Sequence, residues 1–306
     1  MNFIEFKKKF PSELAVIKHY ITIRYNGSMG CHHCGSTKIY HKKTEPKNFY
    51  CNDCNNTFSV FKDTIFENSS TDLVKWMYAI HLFLNGKKGI SGLQLQREIG
   101  GSYKTSWRML KHIRLAMGNL ETQQIFEAIV EIDETYVGGK PKKSNKRSDD
   151  KKKENGDKPN KRGRGTKKTP VVAVVERDAN KVHAKVALPN KEGKKLTGKQ
   201  LFKILAEVTK EGTTVMTDEF SSYNILDKTD KYVHLKIDHT QLFSDGFIHT
   251  NTVESFWAVL KRGVYGIYHQ ISPKYLQNYV DEFSFRHNNR NNKDMFDLLL
   301  KQTVLK

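Results

Sequence analysis

Four cysteines and a small set of acids, amides and lysines are the residues whose types and spacing could do chemistry here. Cys31-His32-His33-Cys34 and Cys51-Asn52-Asp53-Cys54 are separated by sixteen residues, the two-knuckle spacing of a zinc ribbon. Each pair wraps one side of the ion, and a hairpin over residues 38–50 brings the four thiolates into a tetrahedron. Four sulfur ligands leave no position for substrate, so this Zn²⁺ is expected to be structural, with His32 and His33 as the alternative ligands. A segment so poor in large apolar side chains needs the metal to fold. The second grouping lies in His249–Arg262. At helical spacing Val253, Phe256, Trp257, Leu260 and Val264 fall in one apolar arc, while Glu254 and Lys261 line up outside it with Asn251 and Ala258 beside them. A helix packed through its aromatic face would present a carboxylate, an amide and a cation together. Two further acids sit on strand-like segments: Asp133 among Ile129, Val130, Ile132 and Val137, and Asp218 at the end of Thr213–Asp218.

The elements that must position these groups can be read in order. Residues 3–25 form an amphipathic lead-in with Ser12 as N-cap, and the ribbon follows. Ser70 or Thr71 is expected to cap a helix carrying Leu73, Trp76, Met77, Ile80 and Leu84 on one side. Residues 90–99 read as a short helix, Gly100-Gly101-Ser102 as a tight turn, and residues 103–114 as a second helix with a polar, basic first turn. That is the pattern of a helix-turn-helix, in which Tyr103, Lys104, Thr105 and Arg108 would face DNA while Trp107, Leu110 and Ile113 face inward. A strand over 127–137 comes next, then a hairpin about Asp178-Ala179-Asn180, a helix over 198–209, strands over 213–218 and 232–237, and helices ending with 295–300. Residues 138–169 hold 14 Lys or Arg against 4 Asp or Glu and no large apolar residue, and read as a basic disordered insertion.

Strand, hairpin, helix, strand, helix, with acids at Asp133, Asp218 and Glu254, resembles the ribonuclease H-like fold. The 35 residues between Asp218 and Glu254, and a lysine seven residues after the glutamate, resemble the integrase and transposase superfamily. Three stretches make the resemblance specific: Glu131-Ile132-Asp133-Glu134-Thr135-Tyr136-Val137-Gly138-Gly139-Lys140, Thr217-Asp218-Glu219-Phe220-Ser221-Ser222-Tyr223, and His249 through Gly263. With Gly266-Ile267-Tyr268-His269 and Asp281–Asn288, they look like the signature blocks of the ISXO-like insertion-sequence transposases. The family also carries an N-terminal zinc ribbon and a helix-turn-helix, so the resemblance covers nearly the whole chain apart from 141–168.

The resemblance implies three carboxylates converging on two Mg²⁺ or Mn²⁺ ions, with Asp133 bridging both and Asp218 and Glu254 each holding one. Such ions activate the attacking water or 3′-hydroxyl and neutralise the leaving oxygen. Lys261 is placed to meet a phosphate or terminal base, Arg262 joins it as a DNA contact, and His249 and Asn251 orient Glu254 or touch substrate. Asn251 is the rival for the third catalytic place, Glu134 and Glu219 are rivals for the first two, and Asp238 and Asp245 are weaker rivals for the second. Neighbours on a strand point to opposite faces, so one of each adjacent pair joins the site.

The expected architecture is an α/β, ribonuclease H-like catalytic core with a mixed sheet, preceded by a zinc ribbon and a helical helix-turn-helix. Its divisions are a lead-in at 1–25, the ribbon at 26–66, the helix-turn-helix at 67–120, the catalytic domain at 125–290 and a tail at 291–306. A net charge of +19 and a pI near 9.6 point to a polyanionic partner. No stretch approaches the ~18 apolar residues of a membrane span, Met1–Phe10 lacks a signal-peptide apolar region, and the cysteines do not form a secreted disulfide pattern. These features point to a soluble, intracellular chain. The resemblance implies a transposase in the cytoplasm of a prokaryotic cell, associated with the nucleoid, whose expected partners are double-stranded DNA, both terminal inverted repeats and target, with a homo-oligomer assembling on that DNA. The competing readings are a non-cleaving regulator derived from a transposase, which has no need of three carboxylates, and a ribonuclease H-like nuclease, which has no need of the two N-terminal modules.

Overall fold

A computed structural model describes residues 1–121, 125–138, 168–189, 196–237 and 247–304. Most of the basic insertion and both weaker rival acids, Asp238 and Asp245, lie outside the described residues. The chain divides into two compact units, residues 123–288 and residues 1–122 with 289–306. Among the described residues no helix is long and apolar enough to cross a membrane.

In the N-terminal unit the lead-in is two helices, α1 (Phe3–Lys9) and α2 (Glu13–Tyr25), each started by a side-chain cap from Asn2 and Ser12. The ribbon is a three-stranded antiparallel sheet of β1 (Ile39–His41), β2 (Asn48–Cys51) and β3 (Thr57–Ser59). Helices α3 (Leu73–Asn85), α4 (Gly92–Ile99) and α5 (Tyr103–Glu121) follow. The cap of α3 is Asp72, whose carboxylate accepts from the Lys75 N–H at 3.0 Å, and not Ser70 or Thr71. Three residues with capping side chains in a row make that choice illegible locally, since Ser69 is occupied by accepting from the Trp76 indole N–H at 2.9 Å. Helices α4 and α5 are joined through Gly100 (φ 73°) and Gly101 (φ 82°), left-handed positions that favour glycine. Ser106, Met109, Leu110 and Ile113 form the buried face of α5; Trp107, expected inside, is only half-buried. The final helix, α9 (Met295–Lys301), belongs with the N-terminal elements. Its Asp297 accepts from Lys9 and His19 at 3.2 and 2.8 Å, and Tyr20 bonds Thr303 at 2.9 Å.

The second unit is built on one mixed sheet of β4 (Ile129–Val137), β5 (Thr169–Glu176), β6 (Lys181–Val186), β7 (Thr214–Thr217) and β8 (Val233–Lys236). The spatial order is β6-β5-β4-β7-β8, with the hairpin strands antiparallel and β4, β7 and β8 parallel. This is the α/β, ribonuclease H-like arrangement expected. Strand alternation divides the core in two. Val130, Ile132, Val172 and Val174 face α6 (Gly198–Ala206). Val137, Val171, Ala173 and Val175 face α7 (Asn251–Gly263) and α8 (Leu276–Asn288). The apolar arc read from sequence is the buried side of α7: Val253, Phe256, Trp257, Leu260 and Val264.

Helix α8 also closes the open edge of β6, which would otherwise offer unpaired backbone groups to another strand. The Val182 N–H donates to Asn288 Oδ1 and Asn288 Nδ2 donates back to the Val182 carbonyl, both at 2.8 Å. Near the other end of the strand the Val186 N–H donates to Gln277 Oε1 at 2.7 Å, and Gln277 Nε2 donates to the Ala184 carbonyl at 3.1 Å. The close approach of α7 and α8 depends on Gly263, where an added Cβ would lie 2.0 Å from Phe283 Cζ. Both residues are buried, so there is no room to relieve the overlap. We expect Gly263→Ala to lower unfolding free energy by roughly 2–3 kcal/mol, measured by denaturant titration, with Phe283→Leu in the same chain recovering part of the loss.

Candidate active site and metal centre

The ribbon's ligand geometry comes from two copies of one backbone turn. The Cys31 N–H donates to the Ser36 carbonyl at 2.8 Å, and the Cys51 N–H donates to the Asn56 carbonyl at 3.0 Å. The residue after the second cysteine of each pair is left-handed, Gly35 at φ 75° and Asn55 at φ 56°, a conformation natural to Gly and tolerated by Asn. The turns bring Cys31 Sγ to 3.6 Å from Cys54 Sγ, and Cys34 Sγ to 3.6 Å from Cys51 Sγ. All four sulfurs lie within 4.8 Å of one another. Zinc bonded at about 2.3 Å requires tetrahedral sulfurs about 3.8 Å apart, so the four cysteines fit Zn²⁺. The backbone N–H and side-chain amide of Asn56 draw the Cys54 thiol down to about 7, towards the thiolate a metal binds. His32 bonds the Tyr25 hydroxyl at 3.0 Å and lies beside Phe58, and His33 is exposed.

At the second centre the parallel register pairs Glu131 with Met216. That pairing ends there; Asp133 lies two residues further along β4 and Asp218 just past the end of β7, close enough for the Asp218 charge to act on Asp133. Burial raises the Asp133 carboxyl to about 7, helped by the negative charges of Glu134 and Asp218, against the pull of the Glu134 backbone and Trp257. The Trp257 indole N–H donates to Asp133 Oδ2 at 3.0 Å, tying the strand to α7. Glu134 points the other way and accepts from the Tyr223 hydroxyl at 3.0 Å, as alternation on a strand requires. Tyr223 is wholly buried, and burial with the nearby charges of Glu134, Asp133 and Asp218 pushes its hydroxyl well above its ordinary value. Asp218 Oδ1 accepts from the Phe220 N–H at 3.0 Å, fixing the chain as it leaves β7.

Glu254 stands exposed in the first turn of α7, with the Thr250 hydroxyl 3.3 Å from its Oε1. Asn251, Lys261 and Arg262 are exposed on the same helix. Among the described residues, Asp133, Asp218 and Glu254 do not stand as a cluster that could hold a metal ion, as the four cysteines do. Glu254 rides on α7 one turn before Trp257, the residue that bonds Asp133. Of the helix-turn-helix residues, Tyr103 and Lys104 are exposed and Thr105 half-buried at the start of α5. Arg108 donates to Ser69 Oγ at 3.2 Å, so part of its guanidinium serves the unit's own packing.

Sequence reasoning passed over Glu131. It has no exposure and accepts from the Thr252 and Val253 N–H groups at 2.8 and 3.0 Å, the Thr252 hydroxyl at 2.8 Å and Arg177 Nε at 2.6 Å. Its signal was its position two residues before Asp133, hence on the same face of β4.

The sheet thus carries Asp133 on β4 and Asp218 after β7, and α7 packs against the same face of the sheet as Asp133. Residues 126–288 match the family model for the ISXO2-like transposase domain. The chain is 30% identical over 261 residues to an uncharacterized protein in transposable element ISH50 of Halobacterium salinarum, covering 83% of this chain and 84% of that one. It is 31% identical over 104 residues to an uncharacterized transposase-like protein of Haemophilus influenzae, covering 34% of this chain and 82% of that one. The chain belongs to the ISXO2-like family of insertion-sequence transposases. Solved structures of the Mos1 strand transfer complex and of the Mos1 transposase paired-end complex align over 74% of this chain and 76% and 78% of theirs. Their identity is 13% and their TM-score 0.28, a likeness that carries no argument.

Two expectations follow. Freshly purified protein should contain one zinc per chain, and Cys31→Ser or Cys54→Ser should lose it together with the ribbon's protection from proteolysis; elemental analysis decides. The second concerns Asp133 in chelator. The folded protein holds that proton up to about 7, whereas an unfolded aspartate releases it near ~4. Stability therefore falls as pH rises between those values and is level above them. Asp133→Asn should match wild type at about pH 4 and exceed it at about pH 8 by roughly 2 kcal/mol, about half the full linkage value because the site is partly solvated. Denaturation curves at the two pH values test this, and an equal gap at both would contradict it.

Proposed function

We propose that the chain binds the ends of its own element and performs metal-dependent phosphodiester hydrolysis and strand transfer at Asp133, Asp218 and Glu254. The observation that carries this reading is the nearness of Asp133, on β4, to Asp218, just after β7, where burial and like charge hold the Asp133 carboxyl at about 7. Crowded carboxylates of this kind are relieved by a hard divalent cation, and their oxygens suit Mg²⁺ or Mn²⁺. Asp133, Asp218 and Glu254 would hold the divalent metal, which would supply activation of the attacking hydroxyl and neutralisation of the leaving oxygen.

The chain's own residues do the remaining work. The Trp257 N–H holds one oxygen of Asp133 and so would orient its carboxylate. Tyr223 retains Glu134 on the opposite face, which favours Asp133 over its neighbour. Glu254, exposed in the first turn of α7, would supply the third carboxylate. Lys261 and Arg262, two turns further along the helix, would hold a phosphate of the bound strand, and Asn251 sits at the helix start beside Glu254. The ribbon and the helix-turn-helix, with Tyr103, Lys104, Thr105 and Arg108 on the first turns of α5, would recognise the inverted repeats. Phosphate contacts from a chain of net charge +19 would hold double-stranded DNA of any sequence. Two ends and one target require more than one active site, so a homo-oligomer on DNA is part of the proposal.

Asp133→Asn, Asp218→Asn and Glu254→Gln should each reduce Mg²⁺-dependent cleavage of an element end by about 10³-fold or more, leaving its binding within about three-fold of wild type. Cleavage and gel-shift assays on the same DNA read both. Full cleavage by any one variant would remove that residue from the site, and binding without cleavage by the wild type would favour a regulator.

A further inference from the structure

Helix α7 begins without help from its own cap. Thr250 makes no side-chain capping bond, yet the first N–H groups of a helix need acceptors. They find one across the fold in Glu131, which takes the Thr252 and Val253 N–H groups on Oε2 and the Thr252 hydroxyl on Oε1. Glu131 is completely buried, and a buried carboxylate is tolerated only when paired and fully bonded. Arg177, on the turn after β5, supplies the pair at 2.6 Å through Nε. Its other nitrogens donate to the carbonyls of Phe247 and His249 at 2.7 and 2.6 Å, and its plane lies over the Phe247 ring. His249 Nδ1 is 3.2 Å from Glu131 Oε1. The approach to the helix and its first turn are thus tied to one strand residue, two positions from Asp133.

We propose that Glu131, braced by Arg177, is a positioning residue that sets where Glu254 stands relative to Asp133. The proposal rests on the catalytic reading above for Glu254, while the docking it describes is independent of it. Glu254 follows Val253, so its place depends on the two N–H groups that Glu131 holds. Glu131 and Asp133 together pin α7 at both ends of one helical turn, through the 252–253 amides and through Trp257. A carboxylate suits this task and an amide does not: two N–H groups, a hydroxyl and Arg177 Nε all donate to Glu131, and a glutamine would turn its own N–H₂ towards some of them.

The test compares Glu131→Gln with wild type and with Leu205→Ala, a core change against α6 on the other face of the sheet. For the folded fraction of each, cleavage rate, end binding and amide exchange at residues 252–254 are measured. Glu131→Gln should cleave about 100-fold more slowly, the cost of roughly 1 Å of misplacement, with binding within about three-fold. Exchange at 252–254 should rise at least about ten-fold, while Leu205→Ala changes none of these. Should Glu131→Gln fail to fold, Thr252→Val removes the hydroxyl bond alone and is expected to slow cleavage about five-fold. Wild-type cleavage and exchange in these variants would overturn the proposal, as would an equal loss in Leu205→Ala. If wild type cleaves no element end, the catalytic reading falls, and exchange alone decides the docking: faster exchange supports it and unchanged exchange overturns it.

Discussion

The carboxylate of Glu131 is the point on which the catalytic unit turns. It is a charge with no access to water, and it survives there because four donors from α7 and Arg177 meet it at 2.6–3.0 Å. The favourable field at a helix N-terminus adds to these bonds. Removing one partner of such a group leaves an uncompensated charge, which costs far more than the pair contributes. That asymmetry makes the position of α7 on β4 close to unique. The apolar arc of the helix then packs onto Val171, Ala173 and Val175, and Gly263 lets Phe283 close the layer.

Polar groups elsewhere in this unit also bond across the fold. Asn288 and Gln277 serve the open edge of β6 from one face of α8. On the same helix the buried Glu282 accepts from Tyr268 at 2.8 and 2.9 Å and pairs with Arg286 at 3.0 Å. Much of the Asp281–Asn288 signature block thus holds α8 and the π-helical turn after α7 in place. The N-terminal unit solves its stability differently, with a ribbon suited to a metal and a C-terminal helix bonded to α1 and α2 through Asp297.

What could be read from sequence was what local spacing encodes. The cysteine pairs, the alternation of β4 and the helical arc of α7 each repeat on the scale of a turn or a strand, and each is found as expected. The adjacency of β4 and β7, which carries Asp133 near Asp218, followed from element order alone. Glu131 was illegible for the opposite reason. An acid in an alternating strand reads as a solvated position, and its partners lie 46 and 121 residues away. The same distance hid the bonds of Asp297, whose partner His19 is 278 residues off. Arg108 read as a DNA contact because nothing local announced its bond to Ser69.

The central claim is that Asp133, Asp218 and Glu254 gather around divalent metal, and iron-directed backbone cleavage tests it without DNA. Fe²⁺ bound in place of Mg²⁺ reduces added hydrogen peroxide to hydroxide and hydroxyl radical, with ascorbate returning Fe³⁺ to Fe²⁺, and the radicals cut the polypeptide where the ion sits. The account predicts three groups of cuts, beside Asp133 on β4, beside Asp218 after β7 and in the first turn of α7 at Glu254, all suppressed together by excess Mg²⁺. Cuts that spare any of the three segments, or that persist unchanged in Mg²⁺, would contradict it.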